Sequence, residues 1–113
     1  MQTFRTERLS KEIKKILSER ISFLGQEIGG GLVSVTTVRI SKDLSLAKIY
    51  ISAFATKITP LEVIAYLEEN KAIYRTDLAK KMRMRIVPNL KFFLDDTLDE
   101  IENIQKLIDS VKE

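Results

Sequence analysis

Residues 32–55 constrain the fold more than any other segment, because they contain two strand patterns separated by a short run of turn-forming residues. The second predicted strand, 46–55, alternates apolar and polar side chains, so that one of its faces is apolar. In the first, 32–41, the alternation changes phase between Val35 and Val38, which predicts a β-bulge or a strand buried on both faces. Together they predict a β-hairpin whose apolar face other elements must cover.

Helical patterns lie on both sides of this hairpin. Apolar residues spaced three and four apart predict an amphipathic helix over 5–24, and Gly25 begins a predicted flexible loop. Beyond the hairpin, Thr59 and Glu62 have the spacing of a capping box, which starts another helix. Polar residues around Asn70 predict a junction between that helix and one that follows it.

The rest of the chain adds one strand and one helix. Pro88 disfavours helical geometry in the residue before it, and residues 89–95 alternate in the manner of a strand. A second capping box begins an acidic C-terminal helix or extension over 96–113. The order α-β-β-α-α-β with this added helix predicts a single α+β domain over 1–113, in which helices cover one face of a three-stranded sheet.

Absent residue types exclude several classes of function. The 113 residues contain no cysteine and no histidine, which removes disulfides, thiolate metal sites, cysteine nucleophiles and histidine bases. The glycines at 29–31 are not followed by the Lys-Ser/Thr of a phosphate-binding loop. Helix capping and the helix dipole explain the acidic residues at 95–100 with fewer assumptions than a metal site does. We therefore expect no catalysis, no metal, no cofactor and no small-molecule substrate.

Hydropathy and charge bear on location and partners. No apolar run approaches the roughly 20 residues of a membrane helix, and the N-terminus lacks the apolar core of a secretory signal, so we expect a cytoplasmic protein. Residues 1–91 hold 17 Lys and Arg against 9 Asp and Glu, whereas residues 92–113 hold 2 against 7. A basic body can bind phosphates, and the acidic segment would avoid them or cover a basic face.

Two groups of cations are the candidate RNA-binding residues, because clustered cations suit phosphates and arginine can also bind two oxygens or stack on bases. The first group surrounds the end of the paired helices: Lys71, Arg75, Lys80, Lys81, Arg83 and Arg85. The second lies on the first helix: Arg8, Lys11 and Lys15. Either group could instead be a solvated helix face with scattered ion pairs, and Arg85 could pair with Asp95 or Asp96.

Aromatic side chains are a further candidate for contact with bases. The chain offers five in or near the predicted strands and helices: Tyr50, Phe54, Tyr74, Phe92 and Phe93. Such residues more often pack in a core or on a sheet face, and we favour the core for Tyr74 and Phe92.

Several motifs match a known family. They are Thr37-Val38-Arg39-Ile40-Ser41-Lys42-Asp43-Leu44, Ala47-Lys48-Ile49-Tyr50-Ile51-Ser52, Ile73-Tyr74-Arg75, and Met82-Arg83-Met84-Arg85-Ile86-Val87-Pro88 with Leu90-Lys91-Phe92-Phe93-Leu94-Asp95. In these motifs and in the order of its elements, the chain resembles the ribosome-binding factor A family of bacterial small-subunit maturation factors over most of its length.

The resemblance implies a KH-like fold of the second type and no catalysis. It implies a factor that binds the immature small ribosomal subunit and its rRNA, assists late rRNA folding and processing, and takes part in cold adaptation; we expect a monomer. The family's Ala-x-Gly at the kink between the paired helices reads Asn70-Lys71-Ala72 here, which leaves the kink angle open. The Gly-x-x-Gly loop of RNA-binding KH domains is absent there, so base recognition in the usual KH groove is not expected.

A protein-interaction adaptor is the alternative function. It would dock a partner through its C-terminal helix or through an exposed sheet edge. The salt dependence of binding distinguishes the two functions. The affinity for RNA falls steeply as salt rises, whereas the affinity of an apolar interface barely changes.

Overall fold

The computed structural model describes residues 4–82 and 87–95 of the chain. The elements are α1 (Phe4–Ile21), α2 (Leu24–Glu27), β1 (Leu32–Ile40), β2 (Leu46–Phe54), α3 (Pro60–Glu69), α4 (Lys71–Met82) and β3 (Asn89–Leu94). The predicted α+β class is confirmed by these elements. The predicted C-terminal helix over 96–113 lies outside the described residues.

The strands form one sheet in the order β1-β2-β3. β1 and β2 are antiparallel, as the hairpin pattern predicts, and β3 lies parallel to β2 after the crossover through α3 and α4. The register of the hairpin shifts between Val35 and Thr37, so the phase change in the sequence is a β-bulge at Thr36. Because of this extra residue, Val35 and Val38 both reach the buried face.

The core lies between the helices and one face of this sheet. Its fully buried members come from helices and strands alike: Ile13, Leu17, Ile21, Val33, Ile49, Ile51, Val63, Leu67, Leu78 and Leu90. Tyr74 and Phe92 meet edge to face with ring centroids 5.7 Å apart, and both are buried, which confirms the prediction that they pack in the core. Burial raises the pKa of Tyr74 to about 12.

α1 ends at Ile21, three residues earlier than the sequence predicts. The Ser22 hydroxyl donates a hydrogen bond to the Glu19 carbonyl at 2.7 Å. A serine side chain that binds the backbone in this way competes with continuation of the helix. The apolar spacing used in the prediction continues into the next element and does not reveal this stop.

The prediction that a flexible loop begins at Gly25 is also wrong for the first residues of that loop, because α2 spans Leu24–Glu27. Gly25 lies buried within α2, where a Cβ atom would collide with the carbonyl oxygen of Gly31. The chain turns only at Gly29–Gly31, where all three residues have positive φ, the region that favours glycine. Gly25 is thus required for a close approach of two backbone segments rather than for a turn.

α3 begins with the predicted capping box. The Thr59 hydroxyl accepts from the Glu62 N–H and the Glu62 carboxylate accepts from the Thr59 N–H, both at 3.2 Å. Pro60 occupies the first helical position, where its missing N–H leaves no bond unmade.

α3 and α4 meet at Asn70 without needing a glycine. Asn70 has φ −105° and ψ 15°, which L-residues can adopt, and its side-chain amide donates to the Tyr66 carbonyl at 2.8 Å. The Asn70 carbonyl accepts from the Ile73 N–H at 3.0 Å, so the next helix starts at once. The absence of the family's kink glycine is therefore accommodated by the asparagine side chain, and Ala72 lies within α4.

Candidate RNA interface

The cations predicted on the first helix lie on the surface of α1. Arg8, Lys11 and Lys15, here called the α1 cations, are all exposed. Their spacing of three and four residues places them on one helix face. Within the described part of the chain none of them forms a salt bridge, so these charges are open to an anionic partner.

Two ion pairs join α1 to α4. Arg20 Nη1 lies 3.2 Å from Asp77 Oδ2, and Lys81 Nζ lies 3.8 Å from Glu19 Oε2. The four residues occupy the second half of α1 and the second half of α4, so the exposed end of α4 lies beside α1.

This packing brings together two parts of the predicted site. Lys80 and Lys81, here called the α4 cations, are exposed in the last turn of α4. Lys15 lies one helical turn from Glu19, the residue that Lys81 approaches. Cations from two helices therefore flank one exposed carboxylate, which supports a single continuous patch with net positive charge.

Lys71 and Arg75 occupy a different environment. Lys71 Nζ donates to the Leu90 carbonyl at 3.1 Å, and Arg75 Nη2 donates to the Val87 carbonyl at 3.2 Å. Both side chains are half-buried, and these bonds fasten β3 and the segment that leads into it to α4. The structure therefore gives both cations a positioning role that the charge pattern does not indicate.

Glu68 completes this edge. Its Oε1 accepts from the Phe92 N–H at 2.9 Å, and its Oε2 lies 2.5 Å from Lys71 Nζ. Burial alone would raise the pKa of Glu68, but the hydrogen bonds from Lys71 and the Phe92 backbone outweigh it and hold the pKa below its ordinary value. The carboxylate is thus kept ionised where it satisfies an edge strand.

Arg83 and Arg85 lie outside the described residues, and their part in the interface stays a prediction. Asp95 is among the described residues, and its Oδ2 lies 2.5 Å from the Thr36 hydroxyl. This contact crosses the sheet and supplies a partner for Asp95 that the sequence motifs do not suggest.

Sequence reasoning missed a second set of exposed cations. Arg39, Lys48 and Lys91 are neighbours across the three strands, since Arg39 pairs with Lys48 and Lys48 pairs with Lys91. The alternation in each strand places them on the polar face, but no sequence signal shows that three distant residues fall into one row.

Two further features of the described residues bear on function. None of the helices in the two described ranges is long and apolar enough to cross a membrane. The same residues contain no group of three or more acidic side chains arranged to hold a metal ion.

The sheet, its helices and their order place this chain among the KH-like α+β domains. The model of the family described as ribosome-binding factor A matches residues 5–108. The chain therefore belongs to the ribosome-binding factor A family.

Individual relatives agree with this assignment. A ribosome-binding factor A from Macrococcus caseolyticus is 33% identical over 106 residues, which cover 94% of this chain and 93% of the relative. The crystal structure of ribosome-binding factor A from Thermus thermophilus is 29% identical, covers 79% of this chain and 94% of its own, and gives a TM-score of 0.66. A homology model of the Thermus thermophilus factor, fitted into a cryo-electron microscopy map of its 30S complex, is 28% identical over 78% of this chain and 92% of its own, with a TM-score of 0.65.

Proposed function

We propose that this protein is a ribosome maturation factor that binds the immature small ribosomal subunit through its rRNA. It assists the late folding and processing of that rRNA and then leaves. The observation that carries the proposal is the meeting of the α1 and α4 cations around Glu19. The Thermus thermophilus relative in a 30S complex supports the choice of partner.

The mechanism is occupancy rather than catalysis. The cations neutralise phosphates, while the sheet and its packed helices hold them at fixed separations. Folded rRNA displays shape and backbone charge more readily than base edges, so recognition depends mainly on those. Release follows when the RNA completes its fold and its phosphates leave the patch. The protein acts as a cytoplasmic monomer, and a role in cold adaptation belongs to this proposal.

The candidate residues divide by role. The α1 and α4 cations bind phosphates directly, because they are exposed and mounted on two helices in contact. Lys71 and Arg75 add positive charge while holding β3 in place. Arg83 and Arg85 extend the same patch toward β3 in this proposal.

The test compares single charge changes around Glu19 in the full chain. Lys15→Gln and Lys81→Gln should each weaken binding to immature small subunits and lower the salt dependence of log K by about 0.7–0.9 for each phosphate that the variant no longer neutralises. Glu19→Gln should strengthen binding, because it removes the carboxylate between them. Lys57→Gln changes the same charge on an exposed residue between β2 and α3, whose side chain lies beside Gly29, and is the matched control. Co-sedimentation over a series of salt concentrations provides the measurement.

Two outcomes would reject the proposal. Equal effects of Lys15→Gln, Lys81→Gln and Lys57→Gln would show that the patch is not the interface. Subunit binding that does not depend on salt would favour the protein-interaction adaptor. That adaptor would use an edge or segment other than the outer edge of β3, where Lys71 and Glu68 already bond the strand.

A further inference from the structure

The face of the sheet that points away from the helices carries its own set of charged and aromatic side chains. β2 contributes Lys48 and Tyr50 to it, because Ile49 and Ile51 alternate with them and are buried on the helix side. β1 and β3 add three more: Arg39, Lys91 and Phe93. Among the described residues, α1 approaches this face at the β1 edge, where Glu7 lines a concavity with Thr37 and Arg39.

Three cations form a row across the sheet. Arg39, Lys48 and Lys91 occupy paired positions on adjacent strands, and all three are exposed. Neighbouring strands lie about 5 Å apart, so the row has a fixed and close spacing. In the described part of the chain none of these cations forms a salt bridge. A row of cations at this spacing favours a polyanion or a run of carboxylates as its partner.

The next row on the same face is aromatic. Tyr50 and Phe93 are paired across β2 and β3, and their rings stack with centroids 5.4 Å apart and planes 23° apart. Lys91 Nζ lies 5.3 Å from the Phe93 centroid. Tyr50 is therefore held in orientation by Phe93, which itself contacts a cation.

A shallow concavity lies against Tyr50. It has a volume of about 380 Å³ and is lined by Thr37, Arg39, Tyr50 and Asp95. A second concavity of about 240 Å³ shares Arg39 and Tyr50 and also reaches Lys48. The carboxylate of Asp95, which already accepts from the Thr36 hydroxyl, disfavours a phosphate in the first concavity. A base beside Tyr50 with its phosphates in the second concavity, where Arg39 and Lys48 lie, keeps the phosphates away from that carboxylate.

We propose that this open sheet face binds an unpaired RNA segment, with one base stacked on Tyr50 and the adjacent phosphates held by Arg39 and Lys48. Phe93 is a positioning residue, since it backs the tyrosine ring. Stacked bases and tracked phosphates are the two components of single-strand binding by sheet platforms. A duplex cannot use the platform, because its bases are already stacked on one another. This stacking site on the sheet face is not part of the proposed function, although Lys11 of α1 reaches its β1 edge at Thr37.

Further along β2, the same face of the sheet carries more exposed aromatic and apolar side chains. Phe54 lies four residues after Tyr50, on the same face of β2, and is 62% exposed. Leu32, which pairs with Phe54 across the hairpin, is 60% exposed. A single strand that follows β2 would thus pass from the cation row to Tyr50 and then to a second exposed ring. An apolar protein partner would use the Phe54 end and leave the cation row unused, so its binding would not depend on Arg39 and Lys48.

The test measures binding of an end-labelled single-stranded RNA oligomer to the full chain by fluorescence anisotropy. Tyr50→Leu should weaken binding about tenfold or more with little change in salt dependence, whereas Tyr50→Phe keeps a ring and should bind nearly as the native chain does. Arg39→Gln with Lys48→Gln should lower the salt dependence of log K by about 1.4. Lys57→Gln is the control. Ultraviolet crosslinking should attach the RNA at Tyr50.

The proposal is overturned by any of three results. Native affinity in a Tyr50→Leu chain whose circular dichroism and thermal midpoint are unchanged would exclude stacking. Duplex RNA of the same length binding as tightly as the single strand would exclude an unpaired ligand. Equal affinity and salt dependence of the Lys57→Gln chain and of the chain carrying Arg39→Gln with Lys48→Gln would exclude phosphate contact at the cation row.

The outcome is independent of the proposed function. Lys15→Gln and Lys81→Gln address subunit binding, and Tyr50→Leu addresses the naked single strand. If the subunit assay fails while the oligomer assay succeeds, the sheet face stands and the α1–α4 patch does not. The reverse pattern would retain the patch and remove the stacking site.

Discussion

At the residue scale, Asp43 accounts for the turn sequence between β1 and β2. Its Oδ1 accepts from the hydroxyls of Ser41 and Ser45 at 2.7 Å and from the Ser45 N–H at 3.1 Å. These bonds close the turn around Leu44, whose φ of 62° costs a residue with a Cβ about 1 kcal/mol. The side chain of Leu44 packs against the core, which explains why a glycine does not replace it.

The first prediction concerns the acid stability of this turn. Hydrogen bonds from Ser45 and Ser41 lower the pKa of Asp43 from 3.8 to about 2. A folded pKa below the unfolded value contributes stability that is present above about pH 4 and lost as pH falls toward 2. Asp43→Asn should therefore be less stable than the native chain at neutral pH, and this difference in unfolding free energy should shrink below about pH 4.

Denaturant unfolding at several pH values measures that difference. As a control, Ser45→Ala should raise the pKa of Asp43 toward its ordinary value in an NMR titration, because it removes the strongest bond. A difference between native and Asp43→Asn chains that stays constant from neutral pH to about pH 2 would contradict the assignment.

At the element scale, the two edge strands of the sheet, β1 and β3, are protected in different ways. β3 is closed on its outer side, because Glu68 accepts from the Phe92 N–H and Lys71 donates to the Leu90 carbonyl. β1 is the opposite edge, and its register is interrupted by the bulge at Thr36. Closing or bending an edge limits pairing with other chains. The helix junction thus stabilises the sheet as well as carrying charge.

The second prediction tests the closure of β3. Glu68→Ala should destabilise the protein by about 1–3 kcal/mol, since it leaves the Phe92 N–H and Lys71 without their partner. Amide hydrogen exchange at Phe92 should become faster at the same time. Glu69→Ala, on an exposed neighbouring position, should change stability by less than about 0.5 kcal/mol. Equal unfolding free energies for the two variants would show that the edge contact is not stabilising.

At the scale of the whole molecule, the arrangement separates a core from two charged surfaces. One is the α1–α4 patch, and the other is the open sheet face; the buried side of the sheet lies against the helices. The sequence adds an excess of acidic residues over 95–113, following β3. Long-range attraction for any polyanion depends on the sum of these charges as well as on direct contacts.

The third prediction concerns that sum. Neutralising Asp99, Glu100 and Glu102 together, by changing them to Asn, Gln and Gln, should tighten binding to small subunits at low salt because it removes repulsion of phosphates. The gain should fade at high salt, where the screening length drops to about 3 Å at 1 M. A filter-binding series across salt tests this. Identical affinity of native and neutralised chains at low salt would contradict the prediction.

Local sequence patterns were sufficient to predict much of the fold. The hairpin, the capping box at Thr59 and the core positions of Tyr74 and Phe92 were predictable, and the bulge near Val35 was one of two alternatives that the sequence left open. Each depends on alternation, helical spacing or a side chain that bonds within a few residues of itself. The stop at Ser22 was missed, because a single side-chain bond to the backbone overrides a periodic signal that continues past it.

What the sequence determined by itself was therefore the kind and order of the elements and the supply of positive charge. Only the tertiary structure decided what each charge does. It placed Lys81 beside Glu19, tied Arg75 to the Val87 carbonyl, and aligned Arg39, Lys48 and Lys91 in one row. The physical reason is separation along the chain: these neighbours meet through strand register and helix packing, which alternation and helical spacing within one element do not encode.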